Sequence, residues 1–254
     1  MNILITGSAH GIGAATARQF AQAGHHVGVF DIDATGAQAL ATQLGDNAIS
    51  GAMDVCSASD WDRVLRQFTE HFGSLDVLVN NAGLLCSGKF EQIELSRHLD
   101  QLQVNVNGVL LGCYKARPYL KSHANAKIIN LSSSAAIHGQ PDLASYAASK
   151  CFVRGLTEGL DAEWAKDDIR VIDMMPLFTA TDMVVGMQAG SIELMGVRLQ
   201  PDDVARAIVK VAEKPNTRWQ NTHQPVGLQA KILHRLAGFT PEWLNHQFHI
   251  FMSK

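Results

Sequence analysis

Four cysteines in 254 residues (Cys56, Cys86, Cys113 and Cys151) are too few and too scattered for a disulfide scaffold. None forms a C-x-x-C pair, which excludes the usual zinc and redox-dithiol patterns and fits a reducing compartment. Neither sign of charge dominates: 21 Lys and Arg stand against 24 Asp and Glu, a net charge of -3, so there is no basic footprint for nucleic acid. No apolar run approaches the ~18 residues that span a bilayer. The chain starts directly in an apolar segment with no cationic leader, and it reads as cytoplasmic. No run of Pro, Ser and Gly divides it. What it has is 46% hydrophobic residues, enough to build a core without disulfides or metals. Partners are expected to be small molecules or protein.

The apolar residues come in short runs that alternate with longer segments of helical spacing. Strands are expected at residues 3–5, 27–30, 48–53, 75–79, 128–131 and 171–175, and helices at 12–23, 35–44, 59–72, 96–120 and 145–166. This alternation predicts an α/β fold, a Rossmann-type doubly wound parallel sheet with helices on both faces. Its strands are continuously apolar, so both sheet faces are buried. Residues 177–200 change character, with Met183, Met187, Met195 and several glycines, and read as a mobile apolar lid. Beyond them a helix opens at Pro201 with Asp202 and Asp203 in its first turn. A strand within 218–226, a helix over 228–236 stopped by Gly238, and a last helix opened by Thr240 and Pro241 complete the reading.

Residues 6–13 read Thr-Gly-Ser-Ala-His-Gly-Ile-Gly, directly after the first strand and at the start of the first helix. Glycines there allow a tight turn and close approach of backbone to a pyrophosphate, while the helix N-terminus supplies unpaired N–H groups. Asp31, eighteen residues after Gly13 at the end of the second strand, completes a dinucleotide fingerprint. Gly7, Ser8, His10, Gly11, Ile12, Gly13 and Asp31 are therefore candidate cofactor contacts. The Asp31 carboxylate suits both adenosine-ribose hydroxyls and repels a 2'-phosphate, so NAD is preferred over NADP. A protonated His10 facing that phosphate is the opposing feature. A helix-capping role for Asp31 is the competing reading, with Asp33 as the solvated neighbour.

Tyr146 and Lys150 stand four apart at the start of a predicted helix and so share one face. An ammonium beside a phenol favours the phenolate and would draw the tyrosine pKa down from about 10, making it a general acid/base. Ser132, Ser133 and Ser134 end the preceding strand, at the sheet edge where ligands of open α/β folds bind.

With Asn80-Asn81-Ala82-Gly83 after the fourth strand and Asn105 in the long helix, the chain resembles the Tyr-dependent short-chain dehydrogenases/reductases. The resemblance covers residues 1–185 as a cofactor-binding and catalytic core, within a single NAD(P)-binding domain over 1–254. It implies that Tyr146 moves the proton and that Ser133, thirteen residues earlier, binds the substrate oxygen, with Ser132 or Ser134 as the alternative. Lys150 would bind the nicotinamide ribose and lower the Tyr146 pKa. Asn105 would hold a kinked helix and a water leading from Lys150 to solvent. Asn81, Ala82, Gly83 and Pro176 would line the cofactor, Asp54 and Val55 would meet the adenine, and Thr181 would touch the carboxamide. A homodimer or homotetramer is implied as well.

Two departures from that pattern bear on the substrate side. Pro176 is followed by Leu177 where relatives usually carry glycine, which costs conformational freedom and narrows the site. The usual short C-terminal strand ending in Asp-Gly-Gly is absent; residues 215–254 form an atypical extension with Leu228, Ile232, Leu233 and Leu236, then Trp243, Leu244, Phe248, Phe251 and Met252, at helical spacing. Packing on the protein's own core, a subunit or lid contact, and contact with a membrane surface are the three readings of that extension. Candidate pocket residues are Leu84, Leu85, Ser133, Ile137, His138, Leu143 and Phe178. No metal is expected: His246 and His249 are three apart with no acidic or cysteine partner nearby. The function expected is an NAD(H)-dependent oxidoreductase interconverting a secondary alcohol and a ketone on a moderately lipophilic small molecule. The alternatives are a non-catalytic dinucleotide sensor and an NADPH-dependent 3-oxoacyl reductase.

Overall fold

The computed structural model describes residues 1–120, 124–184, 187, 189–217, 219–237, 241, 247 and 250, with the backbone alone at 191, 193 and 194. Strand β1 (Asn2–Thr6) sends Ile3 and Ile5 into one core and Leu4 into another, and all three are fully buried. A strand apolar at consecutive positions can be satisfied only in a sheet covered on both faces. The elements follow in order: α1 (Gly11–Gln22), β2 (His26–Asp31), α2 (Ala34–Leu44), β3 (Ala48–Ala52), α3 (Ala58–Phe72) and β4 (Val77–Asn80). Then come α4 (Leu95–Leu102), a π-helical segment (Gln103–Gly108), α5 (Val109–Leu120), β5 (Lys127–Leu131), α6 (Ala144–Trp164) and β6 (Arg170–Pro176). The last are α7 (Gly190–Met195), α8 (Pro201–Glu213), β7 (His223–Val226) and α9 (Leu228–Leu236).

The seven strands form one parallel sheet in the order β3-β2-β1-β4-β5-β6-β7. Ile3 pairs with Val27 on one side and Val77 on the other. The chain runs outward from β1 to β3 and then returns across β1 to β4, which opens a crevice at the carboxyl ends of β1 and β4. One core packs Phe20, Leu40, Val204 and Ile208 from α1, α2 and α8 against the sheet. The other packs Trp61, Phe68, Val109, Leu120 and Val153 from α3, α5 and α6 against the opposite face. Trp61 is fully buried and its indole N–H donates to the Val55 carbonyl at 2.9 Å, so truncation to alanine would cost about 3–5 kcal/mol.

Helix ends follow the local chemistry. Ser57 accepts from the Asp60 N–H at the start of α3, and Gly73, at φ 83°, ends it. The helix expected over 96–120 is continuous in position but not in winding, because six of its residues take π geometry around Asn105. The seventh strand forms although its sequence lacks the usual ending. His223 faces Asp173 in the β6–β7 register, and its Nδ1 lies 3.0 Å from the fully buried Asp173 carboxylate.

The expected lid segment leaves β6 and returns to its own base, where Ala180 N–H donates to Leu199 C=O at 2.8 Å. The helix expected over 228–236 is α9. Gly238, Thr240, His246, His249 and all of the final predicted helix except residues 241, 247 and 250 lie outside the described residues. Among the described residues no helix is long and apolar enough to cross a membrane, and no cluster of three His, Cys, Asp or Glu is arranged to hold a metal.

Candidate active site

A cavity of about 460 Å³ occupies the crevice at the carboxyl edge of the sheet. Its floor is the glycine turn. Gly7 has φ 61°, and a Cβ there would come within 2.6 Å of Ala82 Cα, so only glycine lets the first loop approach β4 this closely. Helix α1 begins with His10 as N-cap and no side-chain cap, which leaves its first-turn N–H groups without a side-chain acceptor at the cavity. That set of backbone donors, at the positive end of a twelve-residue helix, fits a pyrophosphate. Gly7, Gly11 and Ile12 line the cavity; Ser8 and Gly13 do not. Ser8 is buried and donates to the Ile5 carbonyl, and a side chain on Gly13 would strike the Gly7 carbonyl and Asn81. Both shape the turn from behind the cavity lining.

Asp31 is held at the cavity by two backbone donors, Ala9 N–H to Oδ2 at 2.8 Å and Asp33 N–H to Oδ1 at 3.0 Å. The helix-capping acid is Asp33, which accepts from Gly36 N–H at the start of α2. That hydrogen bond, then the one from His10, holds the Asp33 carboxyl below the ordinary aspartate range. His10 lines the cavity but lies 2.8 Å from Asp33, so any charge it carries already has a counter-ion. Its weight as a phosphate partner is reduced accordingly.

At the end of β4, Asn81 ties two loops together. Its amide donates to the carbonyls of Thr6 and Gly7 at 2.9 and 2.7 Å, while Thr6 Oγ1 accepts from the N–H groups of Asn81 and Ala82. Asn81, Ala82, Gly83, Asp54 and Val55 all line the cavity. Asn105 does not, and it is fully buried. It receives Leu84 N–H, donates to Leu84 C=O, each at 2.8 Å, and donates to Ser149 at 3.1 Å. The π segment thus has a tertiary cause: one extra residue in the turn lets Asn105 clamp the loop after Gly83 onto α6. Asn105 is a positioning residue.

The three serines separate cleanly. Ser132 and Ser134 are buried and donate to the carbonyls of Lys150 and Met175, both at 3.3 Å. Ser133 is the one half-exposed at the cavity; its Oγ accepts from Ala135 N–H at 3.1 Å, and its hydroxyl acts on the Tyr146 phenol to favour the phenolate. Lys150 projects from α6 one turn beyond Tyr146, with Nζ 5.6 Å from the ring centroid and 2.7 Å from the Leu131 carbonyl. Burial pushes the Tyr146 phenol up to about 12, and the Ser133 hydrogen bond recovers only part of this. Burial also pulls Lys150 down to about 8. The expected lowering of the tyrosine pKa is therefore reversed in the chain alone: desolvation outweighs a lysine that lies beside the ring and is itself easily deprotonated.

On the substrate side Leu84, Leu85, Leu143 and Phe178 line the cavity, as do Pro176 and Thr181 farther along. His138 and Ile137 do not. His138 is half-buried in the same loop, and burial, then the nearby Arg154, lowers its pKa. The polar side chain that loop does bring to the cavity is Gln140. Sequence reasoning also missed Ile32, Met53 and Val104 in the lining, whereas Leu177, expected to narrow the site, is there. Ile32 carried a usable signal, an apolar residue between two loop acids, and it is 79% exposed beside Asp31.

A sequence profile described as short chain dehydrogenase matches residues 1–191. Over 183 residues the chain is 34% identical to D-threitol dehydrogenase of Mycolicibacterium smegmatis, spanning 71% of this chain and 70% of that protein. Over 196 residues it is 33% identical to trans-4-hydroxycyclohexanecarboxylate dehydrogenase of Sinomonas cyclohexanicum, spanning 74% and 75%. The crystal structure of 3-ketoacyl-(acyl-carrier-protein) reductase from Brucella melitensis, complexed with NADH, superposes with a TM-score of 0.82 at 31% identity, covering 88% of this chain and 95% of that one.

Proposed function

The chain belongs to the short-chain dehydrogenase family, and from that premise we propose that it interconverts a secondary alcohol and a ketone with NAD(H), on a moderately lipophilic small molecule. The observation that carries this reading is that Ser133 and Tyr146 line one cavity and interact there, together with apolar Leu85, Leu143 and Phe178. A carbonyl oxygen placed between the two hydroxyls accepts a hydrogen bond from each. In reduction Tyr146 gives up its proton to that oxygen; in oxidation it takes the carbinol proton back. Ser133 orients the oxygen. A nicotinamide cofactor, when bound, supplies or accepts the hydride. Lys150 faces the reacting wall with an ammonium that favours negative charge on the phenol oxygen as its proton leaves. Its remaining donors suit ribose hydroxyls.

NAD is the preferred form in this reading because the Asp31 carboxylate lines the cavity at the end of β2, and a 2'-phosphate brought beside it would meet like charge. The cavity's acids, Asp31, Asp54 and Asp182, support the same choice. A second copy of the chain is the proposed partner: Leu95, Leu99, Leu110 and Tyr114 are exposed by 69%, 52%, 43% and 74% along α4 and α5. Light scattering of the purified protein tests that part.

The catalytic proposal is tested by following NADH absorbance with a panel of secondary alcohols, cyclic ketones and 3-oxoacyl thioesters, with NADPH run in parallel. Turnover of alcohols or ketones with NAD(H), lost in Tyr146→Phe while NADH still binds, is the expected result. Cofactor binding with no turnover of any substrate would make the protein a sensor. Turnover confined to 3-oxoacyl thioesters with NADPH would make it an acyl reductase.

A further inference from the structure

The loop between Ser133 and Tyr146 carries Gln140-Pro141-Asp142-Leu143, and this stretch is a rigid turn. Leu143 N–H donates to Gln140 C=O at 3.2 Å, and Asp142 has φ 61°, the arrangement of a type II turn with proline at its second position. Two further ties fix it from outside. Gly88 N–H donates to Asp142 C=O at 2.9 Å, and the Lys89 ammonium lies 2.9 Å from the Asp142 carboxylate. Pro141 restricts the backbone of Gln140 as well. Gln140 is therefore held in place one short turn before the helix that carries Tyr146.

Gln140 lines the cavity, yet its Oε1 is buried with no hydrogen-bond partner among the described residues. A buried amide oxygen is rarely left so, since removing it from water without a replacement donor is unfavourable. The terminal torsion of a glutamine is broad and readily turns this oxygen toward a ligand. Leu84, Leu85, Leu143 and Phe178 offer no hydrogen bond of their own. Among the described residues the cationic side chains lining the cavity are Lys150 and His10, and both belong to the catalytic or cofactor end, so none of those beside Gln140 would neutralise a carboxylate.

We propose that Gln140 is a specificity-determining residue that accepts a hydrogen bond from a second, neutral hydroxyl of the substrate, so that the preferred substrate is a diol or hydroxyketone on an apolar frame. This rests on the reading of Ser133 and Tyr146 as the reacting pair. The reacting carbinol loses its hydride to the nicotinamide and its proton to Tyr146; the second hydroxyl keeps its proton, donates to Gln140 and is chemically unchanged. A substrate lacking it leaves the amide unpaired in the complex.

The test uses matched pairs of alcohols, cyclohexanol with cyclohexane-1,4-diol and open-chain alcohols with their diols, on the wild type and on Gln140→Met, which keeps length and removes polarity. The wild type is expected to favour at least one diol over its mono-alcohol by ~10- to 100-fold in kcat/KM, and Gln140→Met to erase that preference while leaving the mono-alcohol nearly unchanged. Equal losses on both members of every pair would make Gln140 a structural residue and overturn the proposal, as would no diol preference in the wild type. Calorimetric binding of the same pairs to Tyr146→Phe loaded with NAD, with and without Gln140→Met, separates the two readings. If no alcohol is oxidised but diol affinity depends on Gln140, the catalytic reading fails, and only the contact between Gln140 and a second hydroxyl is retained. If alcohols are oxidised and diol affinity ignores Gln140, this one fails alone.

Discussion

The Lys150 ammonium lies 5.6 Å from the centroid of the Tyr146 ring while donating to the Leu131 carbonyl at 2.7 Å. One proton donor of the pair is thus fixed to the sheet edge, and the other faces the cavity. Burial leaves the phenol protonated up to about 12 and lets the lysine lose its proton near about 8. Ketone reduction needs the protonated phenol, present throughout the neutral range, and is assisted by the charged lysine, present only below about 8. The expected kcat/KM for reduction is therefore level at lower pH and falls as pH rises through about 8. Lys150→Met should remove that falling limb and lower the plateau by ~100-fold or more. A limb that persists unchanged in the variant would assign it to another group.

Asp31 serves the turn and the cofactor with one carboxylate, and two substitutions separate those duties. Asp31→Asn keeps an oxygen for one of the two backbone donors but loses the charge; Asp31→Ser loses both. A hydrogen bond to a charged acceptor is worth about 1.5–3 kcal/mol, so kcat/KM with NADH should fall ~10- to 100-fold in either variant. Use of NADPH should rise, because repulsion of the 2'-phosphate is gone. Adding Asp33→Asn removes the counter-ion of His10, and the gain with NADPH should then be larger than in the single variant. An unchanged NADH to NADPH ratio in Asp31→Ser would rule out this role for the carboxylate.

Asp161 and Arg170 are joined by two hydrogen bonds of 2.7 and 3.0 Å, with side chains only 12% and 10% exposed. Burial raises the Asp161 pKa, but Arg170, the Thr222 hydroxyl and Val171 N–H together outweigh it, and the net direction is down from 3.8. A carboxyl whose folded pKa is depressed contributes stability above its unfolded value and loses it as pH falls through the folded one. Asp161→Asn is expected to cost about 2–3 kcal/mol at neutral pH, less than a fully buried pair because some solvent reaches it. In urea titrations the gap between wild type and variant should close as pH drops below 3.8. A gap of constant size down to that range would mean the carboxylate charge is not what holds β6 to α6.

Local patterns carried most of the fold, and the places where they failed have identifiable tertiary causes. The strands were legible because their apolar runs admit no solvated face, and the ends of α3 because Ser57 and Gly73 act within their own turns. The π segment was not, since Gln-Val-Asn-Val-Asn-Gly holds no proline and its cause, Leu84, lies 21 residues away from Asn105. Tyr146, Lys150 and Ser133 could be paired by spacing, but the direction of the tyrosine shift depends on burial, which spacing does not report. His138 and Gln140 occupy the same loop, and only the turn at Pro141 and Asp142 decides which of them reaches the cavity. Ser8 and Gly13 belong to the fingerprint as written, yet one faces the core and the other a neighbouring carbonyl.

Leu177 offers a last test, of how tightly the cavity selects its substrate. Among the described residues the non-glycine positions with positive φ are Asn125, Asp142 and Asp168, so Leu177 sits in ordinary backbone and incurs none of the strain that replacing a glycine would suggest. Its effect is volume: the side chain is half-buried in the cavity lining, next to Pro176 and Phe178. Leu177→Gly should therefore enlarge the cavity without rebuilding the loop, since Thr179 donates to the backbone carbonyl of residue 177 and not to its side chain. The expected outcome is a rise in kcat/KM for bulkier ketones relative to small ones. Small-ketone turnover should fall by less than ~10-fold, about what the loss of one or two methylene contacts accounts for. If bulky and small ketones respond alike, Leu177 is not the wall that sets substrate size, and Phe178 is the next residue to truncate.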